Sequence, residues 1–236
     1  MIELENVSKQ YKRTLALDGV TLTIRENGIY CLLGRNGAGK TTFMKLVAGH
    51  IESSGGTVKV GGKTVSPANM PENVSFIESR ATQFNMTVSA LIAAAWDLQK
   101  DFDLAFAEEM LNRFGLDRKK RYKQLSFGMQ TMVATIIGLA SGAKVVMLDE
   151  PVLGFDAIMR EEFNELLAES FRRQPRIIIV STHLIEDIAK VAQKLIVIDS
   201  GKILSSASIG EITAGGISLT DYFVNLVGGK KHAKTI

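Results

Sequence analysis

The sequence predicts an α/β fold in which a mostly parallel core sheet carries an antiparallel β subdomain and an inserted helical lobe. Three features lead there. Residues 29–33 form an apolar run without polar alternation that ends in a glycine-rich turn. Two further runs of strand length, 144–148 and 176–180, are each followed by helical material. Between the strand-bearing halves, residues of about 79–139 repeat apolar side chains at helical spacing. A run without alternation suits a strand covered on both faces, and strand–helix–strand order favours parallel pairing with right-handed crossovers.

Taken along the chain, Ile2, Leu4 and Val7 suggest a first strand, and Val20, Leu22 and Ile24 alternate with polar residues as a second. Both read as antiparallel strands with one wet face. After the 29–33 run, 41–48 reads as a short helix. Gly55 and Gly56 open a turn before a strand at 57–60, and Gly61-Gly62 marks a small hairpin. A strand is expected at 74–77. Val88, Leu91, Ile92 and Ala95 then share one helical face, as do Leu104, Ala107, Leu111 and Phe114, with Asp101 and Asp103 placed to start the second helix. Helices beginning near Ile158 and His183 are expected to separate the later strands, the last of them at 195–198.

Composition narrows the class. With 236 residues, 46% of them hydrophobic, the chain can bury a sizeable core without staples, and its single cysteine, Cys31, lies inside an apolar run as a packing residue. Glu3 and Glu5 stand where a signal peptide would be basic and apolar, so secretion is not expected. Residues 124–143 carry no charge, but Gln124, Ser126, Gln130, Thr131 and Thr135 interrupt them, which favours a buried helix over a membrane span. The chain is therefore read as soluble, with any membrane role supplied by a partner. A net charge of +3, from 28 basic and 25 acidic residues, is too balanced for a polyanion-binding surface. The basic clusters at 118–123 and 230–234 lack interleaved aromatic residues and read as solvated surface, so no nucleic acid is expected as a partner.

The chemistry concentrates in Gly34-Arg35-Asn36-Gly37-Ala38-Gly39-Lys40-Thr41, a phosphate-binding pattern with a buried-looking strand before it and a helix after it. Glycines let backbone amides turn toward an anion, and a helix N-terminus adds unpaired donors. Lys40 is expected to reach the β- and γ-phosphates and Thr41 to coordinate magnesium, while Thr42 either donates to a phosphate or caps the helix. A second hydrophobic run ends in Asp149 and Glu150. Side chains at a strand's end diverge, so Asp149 can engage the metal while Glu150 polarises the attacking water.

The ordered set of phosphate loop, Leu125-Ser126-Phe127-Gly128-Met129, Asp149-Glu150 and Ser181-Thr182-His183 resembles the ATPase subunits of ABC transporters. The likeness is greatest to those of bacterial drug, lantibiotic and peptide exporters, and runs from Met1 to about residue 228. It implies a P-loop NTPase of ABC type that hydrolyses ATP with Mg2+, occupying 1–228, with 229–236 as a flexible tail. It places Tyr11 beneath adenine; Gly34, Asn36, Gly37, Gly39, Lys40, Thr41 and Thr42 around the phosphates; and His183 beside the γ-phosphate, holding Glu150. Ser126 and Gly128 would grip ATP held by a second protomer in a head-to-tail pair, and Asp156 would communicate across it. A separately encoded transmembrane permease is implied, engaged near 79–96, with the chain peripheral on the cytoplasmic face of the bacterial membrane.

Two departures from the family pattern matter. Phe127 and Met129 replace a glycine and a glutamine of the signature. Glu78 stands where the family has a glutamine that joins magnesium and water to the helical lobe. A carboxylate offers the metal an oxygen but lacks an amide donor, and its charge beside a triphosphate has to be offset by metal or protonation. Closure is then expected to depend more strongly on magnesium. The departures also leave open a weakly active regulatory subunit paired with a stronger ATPase. An importer ATPase, or a soluble ABC ATPase acting on a nucleic-acid or ribosomal partner, is compatible with the same motifs.

Overall fold

A computed structural model describes residues 1–78 and 84–232. The chain opens with β1 (Ile2–Tyr11), β2 (Thr14–Ile24) and β3 (Gly28–Leu33), then α1 (Lys40–Val47), β4 (Gly55–Val60), β5 (Lys63–Thr64) and β6 (Val74–Glu78). The helical lobe holds α2 (Val88–Leu98), α3 (Leu104–Arg113) and α4 (Phe127–Ala140). There follow β7 (Val145–Asp149), α5 (Ala157–Arg173), β8 (Ile177–Thr182), β9 (Lys194–Asp199), β10 (Lys202–Ser208), α6 (Ile209–Ala214) and α7 (Leu219–His232).

Two sheets result, one of order β2-β1-β4-β5 and one of order β10-β9-β3-β8-β7-β6. The first is antiparallel; in the second only the β10–β9 pairing is. The alternation in β1 is realised, because Ile2, Leu4 and Val7 are buried while Glu3, Glu5 and Asn6 are not. Every residue of β3 is buried. Ile29, Cys31 and Leu33 join one apolar cluster with α3, α4 and α5, whereas Tyr30 and Leu32 join another with α1 and the antiparallel sheet. A two-residue pleat feeding two cores explains why this strand shows no polar alternation.

In the lobe, Thr87 caps α2 by accepting from Ala90 N (3.2 Å), and Asp103 caps α3 by accepting from Phe106 N (2.8 Å). The uncharged stretch 124–143 contains α4, in which Val133 and Ile136 are fully buried. Among the described residues no helix is long and apolar enough to cross a membrane. Ser79, the expected start of the lobe, lies outside the described residues.

One expectation needs correction. The helix expected at His183 is only a 3-10 turn at Ile185–Asp187. Thr182 Oγ1 accepts from Leu184 N (3.0 Å) and donates to Leu184 O (3.2 Å), and a hydroxyl that engages local backbone in this way competes with helix formation. At the C-terminus, α7 extends to His232, while 233–236 lie outside the described residues. Its Leu219, Tyr222, Phe223 and Leu226 pack on the main core, and Tyr222 hydroxyl meets Ser205 Oγ at 2.6 Å.

Arg176, only 3% exposed, ties the start of β8 to its surroundings by donating to Leu139 O (2.6 Å), Ala143 O (3.3 Å), Ser170 Oγ (2.7 Å) and Gln174 Oε1 (2.9 Å). Burial lowers its pKa to about 10. Arg176→Met keeps the stem but takes the guanidinium donor from Leu139 O, Ala143 O and Ser170 Oγ, which are buried, at an expected cost of about 2 kcal/mol. Urea denaturation measures it, and a midpoint equal to the parent's contradicts it.

Candidate active site

The parallel register brings the chemistry to one edge. Asp149 pairs with Ser181 and with Glu78, and Leu33 pairs with Thr182, so β3, β6, β7 and β8 end together at their C-terminal side, where open α/β sheets bind ligands. The loop after β3 has little room. A Cβ on Gly34 would stand 2.5 Å from Ile198 O, and one on Gly39, whose φ is 110°, 2.7 Å from Ala16 O. Only glycine suits either position. Gly37 lies between them in the same loop. Gly39 is also the N-cap of α1 and supplies no side-chain acceptor, which leaves first-turn N–H groups to an anion. Asn36 and Thr41 line the cleft beside the loop, and Thr42 sits within the first turn of α1.

Lys40 is 6% exposed. Its ammonium donates to Gly34 O (2.7 Å) and Arg35 O (3.3 Å) and pairs with Glu150 Oε1 at 3.0 Å. The Glu150 contact is ionic, and the buried Oε1 accepts no aligned hydrogen bond besides it. Glu150 adopts φ 48°, the left-handed region that costs a non-glycine residue roughly 1–2 kcal/mol, immediately after β7 ends. The turn takes its carboxylate out of the strand's alternation and sets it between Lys40 and His183, whose Nδ1 lies 2.9 Å from Glu150 Oε2. An ionised carboxylate only accepts, so this hydrogen bond puts the ring proton on Nδ1.

Asp149 is held on both oxygens: Thr41 Oγ1 donates to Oδ2 (2.6 Å) and Ser181 Oγ to Oδ1 (2.5 Å). Ser181 Oγ also accepts from Glu150 N (2.9 Å), so one hydroxyl orients the adjacent acids. Asn36, Thr41, Glu78, Asp149, Glu150, Leu153 and His183 line a cleft of about 320 Å3. Glu78 joins it with its Oε1 paired to Lys45 Nζ at 2.8 Å.

Tyr11, the signature residues and Asp156 are not among the residues that line the cleft. Tyr11 lies at the exposed end of β1, with Lys9 Nζ 5.0 Å from its ring centroid. Ser126 caps α4, accepting from Met129 N (3.2 Å), and a Cβ on Gly128 would stand 3.2 Å from Met159 Cε. Phe127 is half-exposed and lies over Gly154, where a Cβ would stand 2.9 Å from its ring. Asp156 caps α5 by accepting from Met159 N (2.8 Å).

Sequence reasoning passed over two contributors. Ser181 entered only as part of a tripeptide, although its position at the end of a strand two residues before His183 was a usable signal. Lys45 was not singled out; it follows Thr41 by four residues and so shares a helical face with it, but its ionic partner on β6 is visible only in three dimensions.

A glycine loop between a central parallel strand and a helix, with a lysine, a threonine and two strand-end acids converging on one cleft, defines a P-loop nucleotide hydrolase. Residues 17–153 match the ABC transporter family model, and the chain belongs to that family as an ATP-hydrolysing, nucleotide-binding subunit. It is 30% identical over 212 residues to the lantibiotic transport ATP-binding protein SrtF of Streptococcus pyogenes, covering 86% of this chain and 89% of that protein. It is also 28% identical over 208 residues to the taurine import ATP-binding protein TauB of Escherichia coli, covering 85% and 80%. Among solved structures, the dimeric ATP-binding cassette MJ0796 bound to ADP and phosphate superposes with a TM-score of 0.77 at 20% identity, covering 89% of this chain and 99% of that one.

Proposed function

We propose that this subunit powers a bacterial exporter of drugs, lantibiotics or peptides, working as a pair of protomers on a separate transmembrane permease at the cytoplasmic face of the membrane. The observation that favours export is the SrtF alignment, which extends over 89% of a lantibiotic transport ATPase. The TauB likeness favours import as the second reading. Pairing is supported by the dimeric cassette that shares the fold, and by Ser126 and Gly128 standing at the start of a helix and not among the residues that line the chain's own cleft. Tyr11, exposed at the end of β1, would take adenine.

In this reading Gly34, Asn36, Gly37, Gly39 and Thr42 cradle the phosphates, with Lys40 leaving its carbonyl and carboxylate partners for the β- and γ-phosphates. Oxygen donors suit magnesium, which takes one or two protein oxygens along with substrate phosphates, and Thr41 Oγ1 and Asp149 Oδ2, 2.6 Å apart, with Glu78 at the rim, are of that kind. Magnesium bound there would offset charge on the phosphates. Glu150 accepts the proton of the attacking water, and His183 holds Glu150 in place.

Affinity purification from solubilised membranes, followed by assay in inside-out vesicles, tests the assignment. ATP-driven accumulation of a drug or peptide inside such vesicles together with a co-purified permease supports export. Release from preloaded vesicles, or purification with a nucleic-acid or ribosomal partner instead of a permease, overturns it. Within the site, Ser181→Ala is expected to slow ATP hydrolysis about tenfold, since losing one hydrogen bond to a charged group is worth about 1.4 kcal/mol. Unchanged turnover would count against Ser181 as a positioning residue.

A further inference from the structure

Three acids, Glu78, Asp149 and Glu150, line a cleft that the proposed function fills with a polyanion. Two are accounted for within the loop and strand ends: Asp149 accepts from Thr41 and Ser181, and Glu150 pairs with Lys40 and His183. Glu78 is the additional charge. Its partner is Lys45, on the helix that begins with Lys40 and Thr41, at 2.8 Å and with both side chains about one-third exposed.

We propose that Lys45 is a positioning and charge-compensating residue for Glu78, so that the pair presents the cleft with a carboxylate oxygen at little net charge. The inference rests on the nucleotide-binding reading of this cleft. An unpaired carboxylate at the rim repels a triphosphate and has to be offset by metal or proton before the site fills. With Lys45 Nζ on Oε1, the compensation is built into the chain, and Oε2 remains available to a metal or a water. Because α1 also carries Lys40 and Thr41, the pair fixes the end of β6 to the helix that holds the phosphates.

The test is equilibrium binding of a fluorescent ATP analogue, with excess chelator and across a magnesium titration, to the parent, Lys45→Met, Glu78→Gln and the double variant. A melting curve for each checks folding. Lys45→Met is expected to weaken chelator-condition binding about threefold to fivefold, the upper part of the range for an exposed pair, and to widen the gap between affinities with and without magnesium. Raising the salt shrinks the shift, since the effect is ionic. Lys45→Arg keeps parent-like values.

The double variant separates compensation from direct attraction. In the Glu78→Gln background, Lys45→Met is expected to change affinity less than twofold, because no excess charge is left to cancel. An equal loss in both backgrounds means that Lys45 acts on the nucleotide itself and overturns the proposal, as does a Lys45→Met variant that binds like the parent. If Lys45→Met does not fold, Lys45→Gln completes the same cycle. A parent chain that binds no nucleotide under any condition refutes the underlying site reading instead.

Discussion

Glu150→Gln is expected to slow ATP hydrolysis by about a hundredfold or more while nucleotide affinity stays within about threefold of the parent. The two halves have separate causes. In the folded chain Glu150 Oε1 faces Lys40 and Oε2 faces His183, and the amide of glutamine fills the same space with one oxygen kept as an acceptor. The phosphate loop, Lys40's carbonyl contacts and Asp149's two hydroxyl donors are untouched by the change. Removing a negative charge beside a triphosphate also does nothing to weaken binding. What is lost is the ability to accept a proton from water. About 3 kcal/mol of transition-state stabilisation corresponds to roughly a hundredfold in rate. Phosphate release under saturating ATP, beside equilibrium binding of a fluorescent analogue, reads both quantities. Turnover at the parent's rate removes Glu150 as the general base. A further consequence is a closed protomer pair that outlives the parent's in ATP, measurable by size exclusion.

Glu150 also shows where sequence reading stops. Its neighbourhood was legible: residues 144–148 read as a strand from their hydrophobic run, because a parallel strand covered on both faces has no polar alternation, and β7 is buried throughout. The phosphate loop was legible for a similar reason, since its glycines, lysine and threonine are local in sequence and their spacing encodes a turn. Contacts between distant segments were not. Nothing in the sequence gives Glu150 a φ of 48°, places Ser181 between Asp149 and the Glu150 amide, or pairs Lys45 with Glu78. Local competition misled the reading at 183, where the Thr182 hydroxyl engages backbone that helical periodicity assigned to a helix. The signature position is a second case. Phe127, read only as a departure from a glycine, packs over Gly154 in the loop after Glu150.

Lys40→Met is expected to lower ATP affinity about a hundredfold and, separately, to destabilise the chain in the absence of nucleotide. The first effect follows from removing the ammonium that donates to the phosphate loop's own carbonyls and is therefore placed to reach a bound phosphate. A factor of a hundred in affinity corresponds to about 2.7 kcal/mol, within reach of a single well-placed charge in a partly buried site. The second effect comes from what Lys40 leaves behind. Glu150 is one-fifth exposed and would keep His183 as a hydrogen-bond partner but lose its ammonium, while Gly34 O loses its buried donor. Breaking a fully buried pair costs about 3–5 kcal/mol, and partial exposure with a second partner brings the expectation down to about 2 kcal/mol. Adding Glu150→Gln distinguishes the two effects. The double variant is expected to recover most of the stability, because the stranded charge is gone, and none of the nucleotide affinity, because the ammonium is still missing. Thermal melts without nucleotide and titration with a fluorescent ATP analogue measure these independently. Recovery of affinity together with stability would mean that Lys40 acts mainly by holding Glu150, and that the phosphates are bound by backbone amides alone.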